Sequence, residues 1–382
     1  MICLKRVIQF LSVLLIVCMA PSFTADAVSV SAECAVLLCA DTGEVLFSRN
    51  GKMRHSMAST TKIMTALLTL ETGEPERAVK VTKKMTAVEG TSMGLLPGDT
   101  VTLYGLACGM LLSSGNDAAN TAAIALAGSQ EMFAERMNDR AAQIGMTQTH
   151  FVTPSGLDDD LHYSTAYDMA LLGCEAIRNP QFLRICSSKS MTVSYGNPPY
   201  RRVLSNHNRL LKLYAPCIGV KTGFTKKSGR CLVSAARRDG VTLVVVTLNA
   251  PDDWNDHMSL YEYGFSAVHC APLESGQTVL TLPVAGGLQN TVQVGFVSAP
   301  CAVYDAQEGA VERTVYCKPF VYAPVEQGEI VGKAVYTQSG KVLCEADLVA
   351  HKDVAARPVV VPVPQEEKSL FQRALEKIKG VF

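Results

Sequence analysis

The chain is 382 residues long, enough for two domains or one large domain with an appendage. Hydrophobic residues make up 48% and charged residues 18%, an ordinary globular balance. The 35 Lys and Arg residues cancel the 35 Asp and Glu residues, so charge excludes an electrostatic case for nucleic acid or an acidic polymer as partner.

Residues 1–27 read as a secretion leader. Lys5 and Arg6 precede an apolar run from Val7 to Ala20, and Ala25 and Ala27 make an A-x-A cleavage pattern. The run falls short of the ~20 residues that span a bilayer. The chain is therefore expected to be exported, with its mature part starting near Val28. Removing Cys3 and Cys18 leaves 11 of the 13 cysteines, an odd number with no C-x-x-C spacing. Most are expected to act as small buried apolar residues rather than as disulfide partners. The seven His residues show no metal-ligand spacing.

"CAVLLCADTGEVLFSRN" predicts a hairpin, with Ala35–Leu38 and Val45–Phe47 flanking the turn at Asp41-Thr42-Gly43. "MASTTKIMTALLTLE" then predicts a helix apolar nearly all round. Ser59, Lys62, Ile63, Ala66, Leu67 and Leu70 share one stripe, with Met64 and Leu68 opposite. An unpaired ammonium buried there costs several kcal/mol. Ser59-Thr60-Thr61-Lys62 reads S-x-x-K, which places the serine one turn from that lysine. A desolvated lysine can take a proton from a neighbouring hydroxyl, and the serine becomes an activated nucleophile.

Helical pattern continues from about Tyr104 to Gly145, broken at Ser113–Asn116 and at Gly128. The first break holds Ser114-Gly115-Asn116. Another helix is predicted over Thr165–Ile177. "CIGVKTGFT" and "GRCLVSAARRDGVTLVVVTLNA" predict three strands with a tight turn at Asp239-Gly240. Lys221-Thr222-Gly223 lies on the first of these, where a glycine lets another backbone or a ligand come close. Strands first, helices in the middle and strands last predict one sheet built from both ends of the domain and packed on a helical cluster.

From about Cys270 to Val354, short alternating segments without helical period predict a small all-β domain. "AARPVVVPVPQEE" is a stiff proline-rich linker. In "SLFQRALEKIKGVF", Leu370, Phe371, Ala374, Leu375, Ile378, Val381 and Phe382 form one apolar stripe, with Arg373, Lys377 and Lys379 mostly on the other side. Residues 369–382 are expected to lie as a peripheral helix in the membrane interface.

S-x-x-K on a buried helix, S-G-N between helices and K-T-G on a late strand, in that order, resemble the penicillin-binding-protein and serine β-lactamase superfamily. The S-G-N form resembles the low-molecular-mass D-alanyl-D-alanine carboxypeptidases, peptidase family S11. "GTSMGLLPGD", "MNDRAAQIGMTQTHFVTPSGLDD", "HYSTAYDMALL" and "NHNRLL" are similar to that family too, and the likeness runs from about Ala32 to Phe265. It implies an α+β fold of the serine β-lactamase/DD-peptidase type, an antiparallel sheet with a helical cluster, over residues 28–268. A β-rich domain over 269–355 and a linker with an anchor helix over 356–382 would follow.

The resemblance also implies roles. Ser59 is the nucleophile, Lys62 its base, and Ser114 a proton relay. Asn116 binds the substrate amide and orders Lys62. Lys221 holds Ser114 and adds positive potential, while Thr222, with Gly223 beside it, binds the substrate carboxylate. The amides of Ser59 and Phe224 form the oxyanion hole. Peptidoglycan stem peptides would be the substrate and β-lactams the inhibitors, outside the cytoplasmic membrane, with neither metal nor cofactor. Family members often carry an arginine in the loop that reads "NAPDDWNDHM" here, and none is present. Arg237 and Arg238 lie earlier, so carboxylate binding is expected to rest on Lys221 and Thr222. The loop glutamate of class A β-lactamases is not found between Asn116 and Lys221. A D,D-endopeptidase of the same fold is the alternative, ahead of a β-lactamase or a non-catalytic wall-binding protein.

Overall fold

A computed structural model of the chain describes residues 28–273, 278–297, 300–304 and 309–358. The expected leader and the amphipathic tail lie outside the described residues. The chain divides into two compact units. One runs to Cys270 and takes in Val303–Asp305; the other holds Ala271–Ala302 and Ala306 onward.

In the first unit, strands β1 (Cys34–Cys39) and β2 (Val45–Arg49) come from the start of the domain. Strands β7 (Cys217–Thr225), β8 (Gly229–Arg238) and β9 (Val241–Leu248) come from its end. They make one antiparallel sheet in the order β2-β1-β9-β8-β7. Every residue of β9 is buried, because both faces of the sheet are covered. Val244, Val246 and Leu248 point into one core, while Leu243 and Val245 point into another, the period-2 alternation of a strand. The β8–β9 turn falls at Asp239 and Gly240, both with positive φ, as a two-residue type I′ hairpin requires.

The larger core joins the sheet to helices α1 (Lys62–Glu71), α2 (Leu103–Leu111), α3 (Asn116–Ala127), α4 (Gln130–Ile144), α5 (Ala166–Arg178) and α6 (Pro180–Cys186). Helix α7 (Asp253–Ala267) supplies the other core through Leu260, Tyr261 and Phe265. The helix expected over Thr165–Ile177 is α5, with the Thr165 side chain capping it through Asp168 N. Helix α4 opens on a Ser129 cap and ends at Gly145 in the left-handed conformation. A second, four-stranded sheet was not expected. It has the order β3 (Ala78–Lys80), β4 (Thr100–Thr102), β5 (Ser190–Gly196), β6 (Pro199–Ser205). Two of its strands are only three residues long, too short to show a period.

The second unit holds a six-stranded sheet. Its strands run, edge to edge, Glu312–Cys317, Ile330–Gln338, Lys341–Ala350, Thr291–Gly295, Thr278–Ala285 and Val321–Tyr322. Its core is Val284, Val294, Phe296, Val331, Tyr336 and Leu348 with their neighbours. Among the described residues this unit contains no helix.

Candidate active site

Helix α1 does not begin where the apolar stripe begins. Ala58–Thr61 form a 3-10 turn, and the α-helix starts at Lys62. Ala58 sits at φ +47°, a conformation uncommon for a residue with a Cβ. Thr60 and Thr61 turn their hydroxyls back onto the carbonyls of Met57 and Ala58, which tightens the turn. Ser59 is thus presented on the lip of the helix, and Lys62 drops beneath it.

Lys62 is fully buried. Its Nζ lies 2.6 Å from Asn116 Oδ1, 2.6 Å from the Ser155 carbonyl oxygen and 2.9 Å from Ser59 Oγ. The orientation of the Asn116 amide is fixed by its other end, since Nδ2 donates to the Glu89 carbonyl at 2.6 Å. Burial holds the Lys62 pKa well below its ordinary value, and the nearby Lys221 lowers it further. A neutral amine has two N–H groups and one lone pair. Two of the three neighbours can only accept, so in the neutral form both N–H groups would go to them and the lone pair would face the Ser59 hydroxyl.

The other lysine repeats the pattern. Lys221, on β7 at the edge of the sheet, is 1% exposed and donates to Ser114 Oγ at 3.0 Å and to the Thr222 carbonyl at 2.7 Å. Burial pulls its pKa down to about 7. Ser114 is held at φ +59° between α2 and α3, and Thr91 donates to its carbonyl. Asn116 opens α3.

Ser59, Ser114, Asn116, Thr222, Gly223 and Phe224 line one cleft of about 750 Å³, with Lys62 and Lys221 buried beneath it. All eight residues singled out from the sequence therefore come together. Gly223 is the close-approach position. A Cβ there would stand 3.0 Å from Thr60 N and 3.1 Å from both Ser59 N and Met57 O, so β7 lies this close to the Ser59 turn without displacement because the residue is glycine.

Three supports carry no sequence motif. Asp117, 2% exposed, accepts from Ser92 Oγ and from the amides of Met93, Gly94 and Leu95, and so pins the loop that forms one wall. His162 Nδ1 accepts from the amides of Val152 and Thr153, which leaves its Nε2–H for Thr61 Oγ1 at 2.8 Å. Burial lowers its pKa to about 4, so the ring is neutral near neutral pH and ties the Ser155 loop to the Ser59 turn. Gly156 lets that loop seat, since a Cβ there would come within 2.0 Å of the Ala58 carbonyl. Arg230, Asp253 and Trp254 complete the lining on the side of α7.

The family model described as "D-alanyl-D-alanine carboxypeptidase" matches residues 21–252. The chain belongs to peptidase family S11. A second model, the C-terminal domain of penicillin-binding protein 5, matches residues 269–356. Among S11 relatives, the D-alanyl-D-alanine carboxypeptidase DacF of Bacillus subtilis is 31% identical over 85% of this chain and 86% of its own length. DacC of Escherichia coli is 31% identical over 94% and 90%. The crystal structure of penicillin-binding protein 5 from Haemophilus influenzae superposes with a TM-score of 0.62 at 28% identity, covering 86% of this chain and 98% of the other. The fold is thus that of the S11 penicillin-binding proteins, an α+β domain followed by an all-β one.

Proposed function

We propose that the chain removes the terminal D-alanine from peptidoglycan stem pentapeptides through an acyl-enzyme on Ser59, and that β-lactams acylate the same serine. One observation carries the reading: Lys62 is fully buried with its Nζ 2.9 Å from Ser59 Oγ, and burial disfavours its charged form. Membership of family S11 supports the reaction class.

The steps follow from the contacts. Ser59 Oγ gives its proton to Lys62 Nζ and attacks the carbonyl carbon of the penultimate D-alanine. The oxyanion meets the amides of Ser59 and Phe224, an arrangement worth ~3–4 kcal/mol of barrier. Ser114, fixed by Lys221, passes its proton to the leaving nitrogen and takes in its place the one that Lys62 received from Ser59. The C–N bond breaks and D-alanine departs; water then cleaves the ester and restores the serine. Asn116 orders Lys62 and offers its amide to the substrate backbone.

The reading places the protein outside the cytoplasmic membrane, where residues 369–382 hold it at the bilayer surface. It is tested by mass spectrometry of the purified protein with penicillin and with a pentapeptide ending in D-Ala-D-Ala. A penicilloyl adduct on Ser59, absent in Ser59→Ala, and loss of one alanine from the peptide are expected. An adduct on Ser114 would overturn the assignment. Cleavage of cross-linked dimers with no release of alanine would make the enzyme an endopeptidase.

A further inference from the structure

We infer that Arg230 is the residue that recognises the free C-terminal carboxylate of the substrate, held in its working position by Asp253 and Trp254. The inference rests on the carboxypeptidase reading, which requires a substrate with a negative end in the cleft.

Arg230 lies on β8 directly opposite Phe224 of β7, and Thr222 is one step away on the same face. All three line the cleft that Ser59 opens into. The guanidinium is anchored rather than loose. Its Nη2 donates to Asp253 Oδ1 at 2.6 Å, Asp253 is 2% exposed, and the guanidinium sits 5.3 Å from the centre of the Trp254 ring. That contact uses one of five donors. Nε is buried without a hydrogen-bond partner. A guanidinium with one edge pinned and donors to spare suits a carboxylate, which it can meet with two parallel N–H bonds.

The other cations are committed or loose. Lys62 and Lys221 are buried beneath the cleft and spoken for by Ser59, Asn116 and Ser114. Lys227 pairs with Asp160, and Arg238 with Glu262. Arg237 donates to Thr242. Lys226 lines the rim but is exposed, and a solvated ammonium discriminates weakly. Carboxylate recognition by Thr222 then has a strong cationic partner on the neighbouring strand.

The test uses the full chain and two thioester substrates that give the same acyl-enzyme. One is an N-acyl-D-alanyl thioglycolate with a free carboxylate; the other is its methyl ester. The wild type is expected to prefer the free acid. Arg230→Met, which keeps the stem against Trp254, should lose about 10²-fold in kcat/KM on the acid, mainly through KM, and little on the ester. Arg230→Lys should recover part of the loss, and Lys226→Ala should keep the preference. A Met variant that still prefers the acid, or that falls equally on both substrates, would overturn the assignment of Arg230 alone. A wild type that acylates Ser59 with neither substrate would overturn the carboxypeptidase reading and this inference with it.

Discussion

Two buried lysines set the chemistry at the scale of single residues. Lys62 and Lys221 are each desolvated, and the Lys221 charge further lowers the appetite of Lys62 for a proton. Arginine is too large for the Lys62 site, where three contacts of 2.6–2.9 Å surround a fully buried Nζ. Methionine fits the same space without a lone pair for the serine. Lys62→Met should therefore keep its circular dichroism and lose ~10² or more in acylation rate by penicillin; a variant acylated near the wild-type rate would leave Lys62 a merely structural role. The second lysine makes a pH signature. Its pKa is about 7 in the folded chain against an ordinary 10.5. Between those values the unfolded chain binds more protons, so stability rises with pH across the window. The penalty is fully present below about pH 7. The wild-type Tm should climb from pH 7 towards pH 10, and Lys221→Met should climb less. The same variant removes a positive neighbour from Lys62 and moves the acid limb of acylation to higher pH. Parallel Tm profiles in the two proteins would contradict the low pKa of Lys221.

Elements matter because the Ser59 turn is clamped from three sides. Strand β7 lies against it at Gly223, the Ser155 loop seats on it through Gly156, and α3 brings Asn116 from below. Gly223→Ala should push β7 away from the turn by a few tenths of an ångström and reduce acylation ~10-fold or more at nearly unchanged secondary structure, read by stopped-flow with a chromogenic cephalosporin. His162→Phe keeps a ring of similar volume but leaves the Val152 and Thr153 amides without their acceptor. Destabilisation by about 1–3 kcal/mol in urea melts is expected. A fall in acylation rate should accompany it, because the Ser155 carbonyl that orients Lys62 is then unanchored. The sequence made the clustering of Ser59, Lys62 and the S-G-N and K-T-G positions legible, because each motif needs a fixed residue type at a fixed spacing. The helix break at Ser113–Asn116 and the hairpin at Asp239-Gly240 were legible from turn chemistry. Ser155 was not, because it acts through a backbone carbonyl that any residue carries. His162 and Asp117 were not, because their partners are amides distant in sequence or fixed only by the fold. Arg230 went unnoticed because the search for a carboxylate partner followed the loop after β9, whereas the guanidinium arises one strand earlier. The 3-10 turn at Ala58–Thr61 was read as α-helix, since apolar spacing does not distinguish the two over one turn.

At the scale of the whole molecule, an enzyme for wall peptides gains from a site kept near its substrate, and we propose that the chain beyond the catalytic unit serves that need. Six buried cysteines of the first unit, Cys34, Cys108, Cys174, Cys186, Cys217 and Cys231, have thiols pushed up by burial, so they act as core packing and not as tethers. The second unit is an all-β body whose matched family segment ends at residue 356. Past it come the proline-rich stretch and the amphipathic pattern of 369–382. Six large apolar residues on one stripe, with Arg373, Lys377 and Lys379 mostly on the other side, match a helix lying in an anionic interface. Each basic residue near such a surface contributes ~1 kcal/mol, and salt screens it. The full-length protein should therefore pellet with phosphatidylglycerol vesicles at low salt, less at high salt, and little with neutral vesicles. Deleting Ser369–Phe382 should release it into the supernatant while its rate on a soluble D-Ala-D-Ala peptide stays within about twofold of the intact chain, because the catalytic cleft is lined by residues between Ser59 and Trp254. A truncated protein that still pellets equally would assign the membrane contact to another surface. One that loses its peptide activity would make the tail part of the folded enzyme.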